Sequence, residues 1–268
     1  MTAKVYAVAN RKGGVGKTTT VGALASGLGR RGQKVLVVDC DPQGDSTDWA
    51  GIEVTPDMLT LGDVLKNDIM FNDNVIKESI IESTYFDIIP SGPNMFSIEK
   101  EIDHEEDRTI RLKERMYDIL EDYDVIVMDT PPALSIMTLN AFIAANSGII
   151  LVTDAGSFAT KGMSELADEI HRLHRRYANV KVIGILVTQF MKRSNFMKRM
   201  HDVTEEFAGY FEDAVLYETT IRQSVGVMEC QGESVDLFDA QKEFSAKIDY
   251  DLWVDEFFAL EKLGEGAE

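Results

Sequence analysis

Eight consecutive residues, Lys12-Gly13-Gly14-Val15-Gly16-Lys17-Thr18-Thr19, carry the groups that binding a chain of phosphates requires. Glycines let the backbone wrap tightly, so that successive N–H groups converge on phosphate oxygens. Lys17 is placed to reach the β- and γ-phosphates, and the Thr18 hydroxyl to hold Mg²⁺. The segment lies between an apolar run, Val5-Tyr6-Ala7-Val8-Ala9, and a small-residue stretch over 18–31 that suits a helix ending near Gly32. Strand, glycine turn and helix in that order bring a helix N-terminus, with its dipole and unpaired N–H groups, to the same anion. Two features are unusual. Arg11 stands five residues before Gly16, where a phosphate loop ordinarily has glycine, and a second lysine, Lys12, heads the turn. A lysine this close to Lys17 is costly unless negative charge compensates it.

Two further apolar runs end in acids. Lys34-Val35-Leu36-Val37-Val38 leads into Asp39-Cys40-Asp41-Pro42-Gln43-Gly44, and Asp124-Val125-Ile126-Val127-Met128 leads into Asp129-Thr130-Pro131-Pro132. Continuous apolar runs of this length read as strands buried on both faces of a parallel sheet. In such sheets ligands bind beyond the carboxyl ends of the strands, which gathers these acids around the glycine turn. Asp129 is the candidate to hold Mg²⁺ through a water, with Thr18 as a direct ligand; as a purely structural residue it would cap a helix or a turn. Asp39 reads as a structural residue hydrogen-bonded to the glycine turn.

The elements that must position these residues follow the same alternation. A short helix is expected over 61–65, a short strand running into a loop over 86–92 and a helix over 109–120. A strand follows over 147–152, a helix over 161–177, a strand over 180–188 and a helix over 195–207. A last strand is expected over 214–217 and terminal helix over 240–263, while 45–107 is less regular. Repeated strand and helix predict an α/β fold, a single phosphate-loop domain with a mostly parallel central sheet, right-handed crossovers and helices on both faces. The domain is expected to span 1–263, with 264–268 a mobile tail.

The chain has 268 residues, 44% of them hydrophobic, enough for one large core. No apolar run approaches the roughly 18 residues a membrane helix needs, and no signal pattern opens the chain. Cys40 and Cys230 lack metal-site spacing, so a cytoplasmic, reducing setting is expected, with Cys40 in or near the core. A formal charge of −19 weighs, taken whole, against nucleic acid. The distribution points the other way: residues 161–201 hold nine Lys/Arg against three acids. Arg175, Arg176, Lys192, Arg193, Lys198 and Arg199, with Arg172 and Arg222 beside them, form a candidate polyanion surface. The plainer alternative is a solvated face, or cations at a helix C-terminus.

The lysine-headed turn, K-G-G-x-G-K-T-T, with D-x-D-P-Q-G and Asp-Thr-Pro-Pro after the next two buried strands, resembles the ParA/MinD group of deviant-Walker ATPases, and within it the ParA (Soj-like) partition ATPases. The likeness covers nearly the whole chain. It implies an ATPase that uses ATP and Mg²⁺, with Gly13, Gly14, Val15, Gly16, Lys17, Thr18 and Thr19 around the phosphates. Asp41 would orient the attacking water. Lys12 would reach across a face-to-face dimer to the partner's phosphates, so that ATP bridges a homodimer; a phosphate contact within its own subunit, or a solvated side chain, remains open. Ile221-Arg222-Gln223-Ser224 is similar to the family's loop beside the adenine, which makes Ile221 and Gln223 candidate base contacts.

The resemblance further implies non-specific DNA binding by the ATP dimer, nucleoid association, and a ParB-like adaptor whose basic segment stimulates slow hydrolysis. An acidic flank at Glu205, Glu206, Glu212 and Asp213 is a candidate receiver for that segment. With no helix-turn-helix segment before the glycine turn, operator binding is not expected. The sequence departs from the family where Thr153-Asp154-Ala155 replaces a proline after the strand, and where Asp45-Ser46-Thr47 replaces Asn-Ala-Thr. A MinD-like, membrane-positioning role would need a basic amphipathic C-terminal helix; the stretch over 250–261 is amphipathic but acidic. Redox chemistry of the nitrogenase iron-protein type would need cluster cysteines after Asp129, and none is present. A metabolic ligase of the dethiobiotin-synthetase type is the remaining alternative, and Lys12 argues against it.

Overall fold

A computed structural model of the chain describes residues 2–66, 74–154, 161–190, 209–211 and 214–263. Its centre is a seven-stranded sheet in which every pairing is parallel. The strands are β1 (Lys4–Ala9), β2 (Val35–Asp39), β3 (Asp87–Ile89), β4 (Val125–Asp129), β5 (Gly148–Asp154), β6 (Val182–Thr188) and β7 (Val215–Leu216). Their order is β3-β2-β4-β1-β5-β6-β7. After β1 the chain builds one half of the sheet, returns in β4 to lie between β2 and β1, and then crosses to β5. That reversal beside β1 is the topological switch point at which α/β sheets bind ligands.

Side chains alternate across the sheet and feed two cores. Val5, Ala7 and Ala9 point into one core with Leu36, Val38, Ile126 and Met128. It is covered by α3 (Leu61–Leu65), α5 (Met95–Ile102), α6 (Arg111–Met116), α7 (Ile136–Ala144) and α8 (Lys161–His174). Tyr6 and Val8 point to the other side, against α1 (Lys17–Arg30) and α10 (Ser245–Leu260). The remaining short helices are α2 (Asp45–Trp49), α4 (Val75–Glu78) and α9 (Val225–Gly232).

The expected strands are present, with small shifts of their ends. The helix expected over 109–120 is α6 followed by a 3₁₀ turn at Tyr117–Ile119. The strand expected over 147–152 runs on to Asp154, into the Thr153-Asp154-Ala155 stretch, and β5 keeps its pairing with β6 through Thr188. The helix expected over 195–207, the acidic residues Glu205, Glu206, Glu212 and Asp213, and the tail 264–268 lie outside the described residues. Cys40 is fully buried at the end of β2.

The C-terminal helix α10 is core, as its apolar face requires. Tyr250, Trp253 and Phe257 are buried in it, and Trp253 meets Tyr217 and Tyr250 edge-on. Its outer face is tied down by charge: the Arg31 guanidinium reaches Asp251 and Asp255 at 2.9 and 2.6 Å. Trp253→Ala removes the largest fully buried side chain and is expected to cost about 3–5 kcal/mol in a denaturant titration; a loss below about 1 kcal/mol would show that α10 is not integral to the fold.

Candidate functional site

The glycine turn leaves β1 and enters α1 directly. Gly14 and Gly16 have φ of +72° and +92°, a region that L side chains avoid, and Gly16 stands as the N-cap of α1. With no capping side chain at that end, the first N–H groups of the helix face the cleft. The turn is braced from the far side of the sheet. Thr188 Oγ1 donates to Val15 O at 2.6 Å, and Gln189 donates to Gly14 O. Asn10 Nδ2 donates to Val152 O at 2.6 Å and Asn10 Oδ1 accepts from Lys12 N at 2.9 Å.

The turn forms one wall of a cleft of about 940 Å³. Gly13, Gly14, Gly16, Lys17, Thr18, Thr19 and Asp41 line it, together with Ile221 and Gln223. The candidate phosphate and base residues therefore meet in one place. Val15 is buried behind the turn and contributes backbone only. Ile221 is buried, its backbone joined to Val187 O and to Phe190 N, so it forms part of the floor; Gln223 is exposed.

The sequence reading missed α9, which presents exposed Val225 and Met228 to the cleft, an apolar surface suited to a base. It also missed Gln231, whose amide reaches Thr19 Oγ1 at 3.2 Å. Val225, Val227 and Met228, an apolar cluster directly after Gln223-Ser224, were the available signal.

The acids gather as the strand ends predict. Asp39 and Asp129 are registered partners on β2 and β4. Asp129 is 1% exposed. Its Oδ2 accepts from Thr18 Oγ1 and from Ser46 Oγ, both at 2.7 Å, while its Oδ1 is buried without a partner among the described residues. A buried carboxylate oxygen left open beside a threonine hydroxyl fits a hydrated Mg²⁺. Thr18 would ligate the ion directly and Asp129 through a water, and the ion would neutralise phosphate charge. Among the described residues no group of three or more His, Cys, Asp or Glu forms a cage of its own.

Asp39 differs from its expected role. It does not bond the glycine turn; it accepts from Thr47 N and Oγ1 at 2.9 and 2.7 Å and from Asp41 N at 3.2 Å, and so shapes the loop after β2. Alternation along β2 puts Asp39 with Val35 and Val37 on the face that carries α1, beside Asp129, and there Thr47 of α2 takes up one of its oxygens. Asp41, 7% exposed, lines the cleft and accepts from Gln43 N at 3.0 Å.

Burial sets the titration here. Asp39 is pushed up to about 8, by desolvation first and the charge of Asp129 second. Asp129 is raised to about 6, mainly by desolvation, with the Ser46 and Thr18 hydrogen bonds and Lys17 acting against it. Asp41 is raised by burial. Lys17 is lowered by burial, with Asp129, Asp41 and Asp45 opposing.

Lys12 stands apart. It does not line the cleft; its side chain is 54% exposed and ion-paired with Asp154 at the end of β5. The basic residues are also divided. Arg175 and Arg176 are exposed where α8 has ended, before the chain enters β6. Arg222 lies past the other end of β6, paired through Phe190, so the seven-residue strand of about 23 Å separates them. Arg222 is held by both oxygens of Asp249, at 2.8 and 2.7 Å, and does not join Arg175 and Arg176 in one patch. Arg172 is paired with Glu169. Lys192, Arg193, Lys198 and Arg199 lie outside the described residues.

Comparison with known proteins places this geometry. The AAA domain family (AAA_31) matches residues 3–183. The chain is 34% identical over 253 residues to the sporulation initiation inhibitor protein Soj of Bacillus subtilis, covering 93% of this chain and 96% of that protein. It is 32% identical over 245 residues to the chromosome partitioning protein ParA of Myxococcus xanthus, covering 90% and 83%. A structure of cobyrinic acid a,c-diamide synthase from Mycobacterium smegmatis, with bound ATP analog and magnesium, superposes with a TM-score of 0.80 at 27% identity, covering 98% and 96% of the two chains.

The raised carboxyls have a measurable consequence. Asp39 holds its proton up to about pH 8 when folded, and only to about pH 4 when unfolded. Between those values the folded state binds the extra proton, so its contribution to stability is full below about pH 4 and is lost as pH rises through about 8. The nucleotide-free, metal-free protein is expected to lose denaturant resistance from pH 5 to pH 8 more steeply than Asp39→Asn. Equal slopes would contradict the assignment.

Proposed function

The chain belongs to the ParA/Soj family of partition-type ATPases, and from that premise we propose that it is an ATP-dependent dimerising switch that carries a DNA cargo. It is an ATPase that uses ATP and Mg²⁺. In the proposed mechanism the N–H groups of Gly13, Gly14 and Gly16 and the Lys17 ammonium hold the phosphates, and Asp41 orients water for attack on the γ-phosphate. The apolar side of the cleft at Val225 and Met228 receives the base, with Ile221 beneath it and Gln223 at its rim.

The observation that carries the dimer reading is the place of Lys12. It heads the phosphate loop yet lies outside its own cleft, half exposed. A lysine in that position supplies charge to a phosphate most directly from a second subunit, in the manner of an arginine finger given in trans. ATP then sits between two subunits, and its hydrolysis times their separation.

The cargo follows from the family and from charge. We assign non-specific DNA binding to the ATP dimer, through Arg175, Arg176, Lys192, Arg193, Lys198 and Arg199. Such binding needs only several phosphate contacts and weakens steeply with salt. A ParB-like adaptor is the proposed activator, and nucleoid association the proposed location. A MinD-like membrane role is disfavoured by α10, which buries Tyr250, Trp253 and Phe257 in the core and sets Asp251 and Asp255 among the exposed Ile248, Leu252 and Leu260 of its outer face. Among the described residues no helix is long and apolar enough to cross a membrane. The likeness to a cobyrinic acid a,c-diamide synthase structure gives a second reading, an ATP-dependent ligase, which would turn over ATP with a small acid and without DNA.

DNA co-sedimentation at two salt concentrations, with ATP, ADP or no nucleotide, tests the proposal. Binding is expected only with ATP, falling by tenfold or more between about 50 and 200 mM salt, and lost in Lys12→Ala. No binding in any condition would overturn the DNA cargo.

A further inference from the structure

The ion pair between Lys12 and Asp154 lies within one subunit. Asp154 is the last residue of β5, and its side chain is 13% exposed. It stands in the Thr153-Asp154-Ala155 stretch that closes β5, level with Thr188 at the end of β6. The pair is one of several ties between the head of the phosphate loop and the same part of the sheet. Arg11 is ion-paired with Glu165 on α8, and Asn10 bridges Val152 O and Lys12 N. The backbone of the loop head is fixed by these bonds, while the Lys12 side chain remains half exposed and is drawn back onto the sheet.

We propose that Asp154 is a positioning residue that holds Lys12 in its own subunit until a second, ATP-loaded subunit competes for it. The proposal rests on the reading that Lys12 acts in trans. A largely buried carboxylate attracts the ammonium without requiring nucleotide, and the partner's phosphates offer more negative charge at the interface than Asp154 can. Closing the dimer then includes breaking this pair. The latch raises the protein concentration at which ATP closes two subunits, and so keeps the ATP-bound monomer from assembling too readily.

Asp154→Asn removes the charge and keeps the shape. A partly exposed ion pair shifts an equilibrium by about two- to fivefold. In sedimentation velocity with a non-hydrolysable ATP analogue and Mg²⁺, Asp154→Asn is expected to dimerise at a concentration about two- to fivefold lower than wild type. Without nucleotide, Lys12 in Asp154→Asn is expected to react about two- to fivefold faster with acetic anhydride, read at that residue by mass spectrometry. ATP-analogue binding to monomeric Lys12→Ala is expected to be unchanged when Asp154→Asn is added, which separates a latch from simple repulsion between Asp154 and the phosphates.

Each arm has an outcome that overturns the proposal. Unchanged Lys12 reactivity means no pair in solution. Faster reactivity with unchanged dimerisation means the pair does not oppose assembly. Tighter analogue binding in the Lys12→Ala background means repulsion accounts for the effect. Failure of the trans reading looks different: neither wild type nor Asp154→Asn dimerises with the analogue, whatever the reactivity of Lys12.

Discussion

Two acids end level on adjacent strands. The register of β2 with β4 sets Asp39 beside Asp129, both buried, and the rest of the site answers the cost of burying two carboxyl groups side by side. Three hydrogen bonds turn Asp39 toward the loop that carries Asp41 and α2. Two hydroxyls, from Thr18 and Ser46, occupy one oxygen of Asp129 and leave the other buried without a partner among the described residues. Lys17, itself buried, compensates Asp129 and Asp41 with its charge. The open oxygen of Asp129 beside the Thr18 hydroxyl suits a cation, and a cation with Lys17 suits an anionic ligand. The strand ends therefore select a metal–polyphosphate substrate before any specific contact with the base is made.

The same physics explains which parts of the protein were legible in the sequence. Strands buried on both faces read as unbroken apolar runs, so β1, β2, β4, β5 and β6 were plain, and the acids closing β2 and β4 were placed with them. The glycine turn was legible because Gly14 and Gly16 adopt backbone angles that other residues avoid. The short helices α2, α4, α5, α7 and α9 were not assigned, because elements of four to nine residues take their stability from packing and not from propensity. α7 shows this well: it is apolar nearly all round, with Met137, Ala141 and Phe142 buried, and so lacks the periodicity that marks a surface helix.

Side-chain destinations were harder to read than element positions. Asp39 was expected on the glycine turn and instead bonds Thr47, which α2 brings against it on the same face of the sheet. Arg222 was grouped with the basic residues of 161–201, but folding gives it Asp249 of α10 as a bidentate partner, and β6 holds it far from Arg175 and Arg176. Such charge pairs between distant segments leave no trace in local spacing. The pairing of Lys12 with Asp154 is of the same kind: it depends on β5 continuing past the point where a proline would have ended its ladder.

The account turns on whether Lys12 acts on its own nucleotide or on its partner's. Mixing two inactive proteins decides it. Lys12→Ala keeps Asp41 but cannot donate the lysine, and Asp41→Ala can donate the lysine but cannot orient water. If Lys12 acts in trans, a mixed dimer contains one complete site, and the equimolar mixture recovers ATP hydrolysis that neither protein shows alone. If Lys12 serves its own subunit, no mixed dimer holds a complete site, and a mixture as inactive as its components would contradict the account.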